Sequence, residues 1–571
     1  MFKTIASFLT SVINGTTMAS NNLASNSVES IIHRVKVQNL PTKEMASVKK
    51  LFTSYGVTKY KKAPQWNYAY VNFDTEKGAF DLINKINGVK FKKNILNTEY
   101  TQILESEYRN RFQQKNKTLI EKKCEERKEE ELLDTRTPSE KLADQVTPLY
   151  KVPYQDQLNK KHKIGVRQLR QLKKKLTQLQ DMTEEGKKQL QWAFEQQATD
   201  LPCETILPPI GSPLINGYRN KCEFTIGRDM NGNPTVGFLL GLYRDGITNV
   251  LEPSQTLHIP DTAKTIAKKM EIFITQHSDY EVYDRVKKNG VWRSLMVKVQ
   301  QTGDIMLLVQ MKTIDLTQIQ LQQEKEKLID YWHAQKDIKV TTLMLQQWNG
   351  DSNGITDRGQ TEILTGDGYV YEHLLGYQFR ISSSAFFQIN TSATELMYSQ
   401  CTEWCTMDNK KKTTLLDLCC GVGSIGISLA HTVDRVVGIE MISDAIDDAR
   451  FNADLNNITN AQYYANKVEE KIDVVTNEVN ENVIAVLDPP RNGVHNSVIR
   501  AVREASQIQK VIFISCDAKQ AMQNFINLCR PTSNRFKGLP FKPSRAVTVD
   551  LFPHTDHSEL MIEFVRIQPT Q

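Results

Sequence analysis

No two of this chain's nine cysteines are spaced C-x-x-C. Zinc sites of the paired-cysteine kind are built on that spacing, so none is expected. The nearest groupings, Cys401/Cys405 and Cys419/Cys420, lack the second pair and the histidines that a zinc site needs. An odd number of cysteines scattered over 571 residues also does not make a disulfide framework, and a reducing compartment is the simpler reading. No apolar run reaches the ~18–20 residues that span a bilayer, so an integral membrane protein is not expected. Net charge is low as well. A formal +6, with 40% hydrophobic and 24% charged residues, is ordinary for a soluble protein of several domains. The basicity is local: Lys160, Lys161, Lys163, Arg167, Arg170, Lys173, Lys174 and Lys175 fall in one stretch without an acid. That stretch is a candidate contact for a polyanion.

Residues 1–32 are acid-poor and Ser/Thr-rich and read as a disordered tail. Their composition keeps a mitochondrial transit role open, although Lys3 is the only basic residue before Ser30. From 33 to 105 the pattern is strand, helix, strand, strand, helix, strand, and the runs VKVQNL and WNYAYVNF stand where an RNA-recognition motif carries its two signature strands. Tyr68 and Tyr70 alternate onto one sheet face, where bases can stack. Lys36 replaces the usual aromatic of the shorter strand, and Trp66-Asn67 replaces the usual basic-Gly pair. A small α+β domain that contacts protein is the competing reading. Residues 106–200 are charged and helix-favouring and read as a linker, in which Leu169, Leu172, Leu176 and Leu179 give an amphipathic helix with a cationic face. Either that face is solvated or it touches an RNA backbone.

Between 201 and 375, alternating apolar runs and turn signals such as Asp229-Met230-Asn231-Gly232 predict a β-rich central domain. From 376 to 571 the texture changes to helices between near-continuous apolar strands: LLDLCC, RVVGIE, VIAVLD, KVIFIS and LMIEFV. Buried parallel strands have that composition, so a doubly wound α/β domain is predicted. Its first strand runs into Gly421, Gly423 and Gly426, and Glu440 closes the next strand 19 residues after Gly421. This satisfies the dinucleotide fingerprint, yet the same loop and carboxylate also serve S-adenosylmethionine. Asp488-Pro489-Pro490-Arg491 favours the latter. Its prolines stop a strand at the carboxyl edge of the sheet and hold a carboxylate rigid for a planar, amide-like substrate edge, which a dehydrogenase does not require. Cys516 ends the strand VIFIS, either as a small buried hydrophobe or as an aimed thiol.

Six segments then coincide in order and spacing: 381–395, 415–430, 436–457, 487–495, 513–522 and 550–559. Together they resemble the RNA uracil-5-methyltransferase family, most closely its animal tRNA-acting branch with an N-terminal RNA-recognition motif. The resemblance implies a Rossmann-like class I methyltransferase domain beside the β-rich central domain and the α+β RNA-recognition domain. It implies S-adenosyl-L-methionine as cofactor, held by Gln388, Cys419, Gly421, Gly423, Glu440 and Asp488. Cys516 falls on the family's nucleophile and Glu559 on its proton acceptor. The implied reaction forms 5-methyluridine at position 54 of the tRNA T loop, in the cytoplasm or nucleus, with no metal or iron–sulfur cluster. The alternative is a catalytically weak tRNA-binding chaperone of the same fold. Where the family has Ser-Cys-Asn-Pro, Asp517 and Ala518 follow Cys516. An unshielded acid there is expected to raise the thiol's pKa.

Overall fold

A computed structural model describes residues 31–104 and 135–568, except 43, 58, 64, 93, 181, 196–200, 242–247, 353, 407–411 and 476–481. The expected tail up to residue 30, and the charged run 105–134, lie outside the described residues. The chain divides into two compact units, 1–135 and 136–571.

In the first unit, β1 (Ile31–Gln38) lies between β2 (Ala69–Phe73) and β5 (Asn97–Leu104) in an antiparallel sheet, and β3 (Lys90–Phe91) pairs with β4 (Asn94–Ile95) as a small hairpin. Helices α1 (Met45–Ser54) and α2 (Glu76–Ile86) cover one face, where Val35, Val37, Phe52, Ala69, Val71 and Leu82 form the core. Of the two strands expected between the helices, one is β2. The other is reduced to a single antiparallel bridge, Lys61 to Tyr70. The opposite face carries Trp66 stacked on Tyr68 at 4.8 Å, with Lys36 over Tyr68 at 5.4 Å and Arg34 over Tyr70 at 5.0 Å.

The second unit begins with α3 (Pro138–Val146), which Thr137 and Glu140 start as a capping box, and α4 (Tyr154–Thr177). Here the structure departs from the expected linker. Leu169, Leu172 and Leu176 are at most 1% exposed and pack with Leu416, Phe525 and Leu560 of the C-terminal domain. Burying three leucines this fully stabilises the packed arrangement by roughly 5–9 kcal/mol, so α4 is a structural layer.

The central domain is a seven-stranded sheet in the order β13-β12-β11-β10-β7-β8-β9. Its strands are β7 (Lys221–Arg228), β8 (Pro234–Leu239), β9 (Val250–Leu251), β10 (Trp292–Val299), β11 (Ile305–Met311), β12 (Thr342–Gln347) and β13 (Gln360–Thr365). Asp229 Oδ1 accepts from the amides of Asn231 and Asn233 (both 2.8 Å) and closes the β7–β8 turn that the sequence signals. Helices α5 (Asp261–Gln276) and α6 (Gln318–His333) cover one face. Met296, Met306, Leu308 and Met344 of the other join the core of the C-terminal domain.

The C-terminal sheet has eight strands in the order β18-β17-β16-β19-β20-β22-β21-β6. These are β16 (Thr413–Leu418), β17 (Arg435–Glu440), β18 (Ala461–Ala465), β19 (Asn482–Leu487), β20 (Ile508–Ser515), β21 (Phe541–Val549), β22 (Glu559–Arg566) and β6 (Thr205–Ile206). The first five are parallel and β22 is antiparallel to β20, which is the Rossmann-like arrangement expected. The two-residue β6, assigned by sequence to the central domain, instead pairs with β21. A hairpin of β14 (Tyr369–Leu374) and β15 (Tyr377–Ser382) straddles the expected boundary at 375 and packs on the helices α7 (Thr391–Trp404) and α9 (Ser443–Leu455). The remaining helices used below are α8 (Ser424–Leu429), α10 (Asn496–Glu504) and α11 (Ala518–Cys529). Among the described residues no helix is long and apolar enough to cross a membrane, and no cluster of three His, Cys, Asp or Glu is arranged to hold a metal.

Candidate active site

Strand order reverses between β16 and β19, and in such sheets ligands bind at the carboxyl ends of the strands flanking that point. All eight residues singled out by sequence lie at this edge or in the 388 segment that reaches it.

β16 leaves the sheet through Cys419 in a left-handed conformation (φ 65°), whose amide donates to Ile439 O at 2.9 Å and ties the loop to β17. Gly423 caps α8 at φ 79°, and a Cβ there would lie 3.0 Å from Tyr463 Oη, so both conformation and space demand glycine. Above Gly421 the space is open: an added Cβ would meet only Phe386 O at 4.0 Å. Asp417 is fully buried beneath the loop. Its Oδ2 accepts from Gly426 N at 2.9 Å, its Oδ1 has no hydrogen-bond partner among the described residues, and burial pushes its pKa up to about 7. Burial likewise lifts the Cys419 thiol to about 12, with Glu440 adding to the shift, so Cys419 is an uncharged wall.

Glu440, at the end of β17, accepts from the amides of Met441 (2.7 Å) and Ile442 (3.1 Å) through Oε1. That grip orients the carboxylate while Met441 and Ile442 themselves stay 70% and 58% exposed. A carboxylate for hydroxyls, two uncovered apolar side chains for a flat ring and an open glycine loop fit the adenosine half of S-adenosylmethionine. Just past the end of β19, Asp488 Oδ2 accepts from Gln388 Nε2 at 2.9 Å, which brings together two residues 100 positions apart. Burial pushes Asp488 up to about 6 and the Gln388 hydrogen bond opposes it.

Cys516 and Glu559 come from antiparallel neighbours. Ser515 of β20 pairs with Leu560 of β22, so the next step along the ladder sets Cys516 beside Glu559. Glu559 is 3% exposed, its Oε2 has no hydrogen-bond partner among the described residues, and its pKa is raised well above the carboxylate range by burial and then by Asp488, against Arg491. Cys516 is pushed up to about 11, first by burial, then by Glu559, with Arg491 pulling it down and Asp488 pushing it further up. The acid expected to disturb the thiol is otherwise engaged: Asp517 is the N-cap of α11 and accepts from Gln520 N at 3.1 Å. The charges that act on Cys516 are distant in sequence.

Three contributors were not assigned by sequence reasoning. Arg491, in the sequence only the last residue of the Asp-Pro-Pro-Arg corner, is the cation that acts on both Cys516 and Glu559. Lys298 is buried and donates to Ser382 O (2.7 Å) and Ala385 O (3.3 Å), fixing the segment that carries Gln388, and burial lowers its pKa to about 7. Lys161 of α4 donates to Asp550 Oδ1 (2.6 Å) and Phe552 O (3.0 Å), and Gln157 accepts from His554 N at 2.8 Å. Those bonds clamp the 550–558 segment that delivers Glu559. Lys161 had a signal: with Leu158, Gly165, Leu169, Leu172 and Leu176 it occupies the buried helical stripe.

A family model described as tRNA (uracil-5-)-methyltransferase matches residues 325–566. The human tRNA (uracil-5-)-methyltransferase homolog A is 35% identical over 443 residues, covering 76% of this chain and 69% of that protein. The human homolog B is 34% identical over 435 residues, covering 75% and 84%. Among solved structures, the Pyrococcus abyssi tRNA (uracil-54, C5)-methyltransferase in complex with S-adenosyl-L-homocysteine superposes with a TM-score of 0.50 at 19% identity, covering 72% of this chain and 84% of that one. That structure bears on the fold. The identities over three-quarters of the chain bear on descent, and with the site's geometry they make this chain a member of the tRNA (uracil-5-)-methyltransferase family, S-adenosylmethionine-dependent enzymes that methylate tRNA.

Proposed function

We propose that this enzyme forms 5-methyluridine in the T loop of tRNA, at position 54, with Cys516 as nucleophile and Glu559 as base. The observation that carries the assignment is the meeting of Cys516 and Glu559 on paired strands, next to the Gln388–Asp488 pair at the cofactor edge. C5 of uracil is a weak nucleophile. Addition of the Cys516 thiolate to C6 places the electron pair on C5, and S-adenosylmethionine would supply the electrophilic methyl group that C5 attacks, the S–CH3 bonding pair returning to sulfur in the departing S-adenosylhomocysteine. Glu559 then takes the C5 proton, and the electrons of that C–H bond restore the C5–C6 double bond as the thiolate leaves.

A carboxyl held above its ordinary pKa has the proton affinity this step requires. Arg491 favours the charged forms of both Cys516 and Glu559. Gln388, Glu440, Asp488 and the Gly421–Gly423 loop hold the cofactor, with Cys419 and Met441 as apolar walls. The uridine has to leave its stack to reach a thiol set at a sheet edge. We read the first unit as an RNA-recognition motif: the order β2-β1-β5 and the open face of Trp66, Tyr68 and Tyr70 support it.

The test is transfer of a labelled methyl group from S-adenosylmethionine to unmodified tRNA. Wild type is expected to give 5-methyluridine, and Cys516→Ala neither product nor a denaturation-resistant adduct with 5-fluorouracil-substituted tRNA. Glu559→Gln is expected to lose about 10²–10⁴-fold in turnover and to accumulate the covalent tRNA adduct. An adduct that survives Cys516→Ala removes that residue from its role, and wild type without 5-methyluridine returns the chain to a binding function.

A further inference from the structure

The cations of α4 are not equivalent. Lys161 is fully buried in its ion pair with Asp550, and Lys160 pairs with Asp556 at 2.8 Å. Lys160, Lys163, Arg167, Arg170 and Lys174 are exposed and follow one another at intervals of three, four, three and four residues. That spacing keeps them on one face of the helix, directly opposite the buried leucines, in a line about 21 Å long at ~1.5 Å per residue. Among the described residues, Lys163, Arg167, Arg170 and Lys174 have no carboxylate partner, and Asp156 is the only acid in the helix. A solvated helix ordinarily intersperses signs, because like charges three or four residues apart repel. An unbroken row of cations is stable against a row of anions.

The position of the row is as informative as its charge. Asp556, which Lys160 holds, lies three residues before Glu559, and the inner face of the same helix grips Asp550 and His554. The other long neighbour of α4 is α11, which starts two residues after Cys516. The row therefore starts beside the segment that delivers Glu559 and runs away from it along a rigid rod anchored by Leu169, Leu172 and Leu176.

We propose that the outer face of α4 is a rail for the phosphate backbone of the substrate tRNA, aligning the strand whose uridine enters at Cys516. The rail rests on the tRNA-methylating reading but is tested by binding, which does not depend on turnover. Affinity of the full chain for unmodified tRNA is measured between 50 and 200 mM salt, for wild type and for Lys163→Gln/Arg167→Gln/Arg170→Gln/Lys174→Gln. Each lost phosphate contact reduces the slope of log affinity against log salt by about 0.7–0.9, so the four together reduce it by roughly 3. Over that fourfold salt range the wild type loses roughly 50–150-fold more affinity than the variant.

Methyl transfer at saturating tRNA and the affinity for S-adenosylmethionine are expected to stay within about twofold, because none of the four residues lies in the cofactor site. Lys264→Gln/Lys268→Gln/Lys325→Gln/Lys327→Gln, on α5 and α6, removes the same charge elsewhere and is expected to leave the slope within about one unit of wild type. Arg167→Gln alone, the gentlest change, is expected to reduce it by about 0.8, and Lys163→Arg/Lys174→Arg to retain it. An unchanged slope in the α4 variants, or an equal fall in the α5/α6 control, overturns the rail. If wild type binds tRNA but makes no 5-methyluridine, the catalytic assignment fails while the slopes still judge the rail.

Discussion

The reactivity of Cys516 separates two accounts of its environment. One makes the adjacent Asp517 the disturbing acid; the other makes it Glu559, 43 residues away. The structure favours the second, because Asp517 caps α11 while Glu559 stands on the next strand. The perturbations are Asp517→Asn, which preserves a good N-cap, and Glu559→Gln, which removes a charge at constant size. With a pKa of about 11, Cys516 is about 0.1% thiolate at pH 8, whereas an ordinary thiol near 8.5 is about a quarter thiolate. The population difference is roughly 240-fold. A more basic thiolate is also a better nucleophile, which at a Brønsted coefficient of 0.4–0.5 returns roughly tenfold. Iodoacetamide should thus label Cys516 roughly 20-fold more slowly than a free thiol at pH 8, and the rate should climb about tenfold per pH unit. The assay is mass-spectrometric quantification of the alkylated Cys516 peptide between pH 7 and 11.5. Glu559→Gln should lower the midpoint and Asp517→Asn should leave it where it is. A wild-type midpoint below 9, or a midpoint that falls with Asp517→Asn and not with Glu559→Gln, refutes the reasoning.

Further outcomes follow from the same packing. Lys161→Ala leaves Asp550 charged and buried, so it should cost about 3–5 kcal/mol in chemical denaturation and Lys161→Ala/Asp550→Asn should recover part of that; a loss under ~1 kcal/mol would mean the pair is dispensable. Asp417 near 7, Asp488 near 6 and Glu372, a fully buried residue of β14 that burial also lifts to about 7, all have folded pKa values above the ordinary range near 4. Their stabilising contribution is complete below pH ~4 and is lost as pH rises through 6 and 7, on the order of 4 kcal/mol at most for Asp417. The melting temperature of the cofactor-free protein should therefore carry a component that falls between about pH 4 and 7 and flattens in Asp417→Asn, and identical profiles for the two proteins would contradict it. Gly423→Ala puts a side chain on a φ of 79° and against Tyr463 Oη, and should cost about 1–2 kcal/mol in stability and weaken S-adenosylmethionine binding about tenfold, as read by calorimetry.

The catalytic edge is legible in sequence for a physical reason. Parallel strands covered on both faces are continuously apolar, so the polar or glycine residue that ends each one stands out: Gly421 after β16, Glu440 on β17, Asp488 after β19 and Cys516 after β20. What periodicity does not carry is the partner of a face. The Leu169–Leu172–Leu176 stripe reads the same whether the helix is a solvated linker or, as it is, the cover of a sheet. Asp517 illustrates a second limit, since adjacency in the chain says nothing about which way a side chain turns, and an Asp at the N-cap of a helix turns toward its amides. Length sets a third: β6 has two residues, too few for any alternation to register.

That two-residue strand has a consequence for how the chain is made. Thr205 pairs with Arg545, which the ribosome adds 340 residues later, and Lys161 of α4 waits longer still, 389 residues for Asp550 and 391 for Phe552. At roughly 5–20 residues per second the amphipathic helix and the strand stub stand complete for about 20–70 s before their partners emerge. The central domain, whose sheet closes within residues 221–365, is finished in the interval. The methyltransferase domain is thus assembled last and from both ends, around an insert that is already folded. Once β6 docks, it covers the free edge of β21, which would otherwise offer unpaired backbone to another nascent chain.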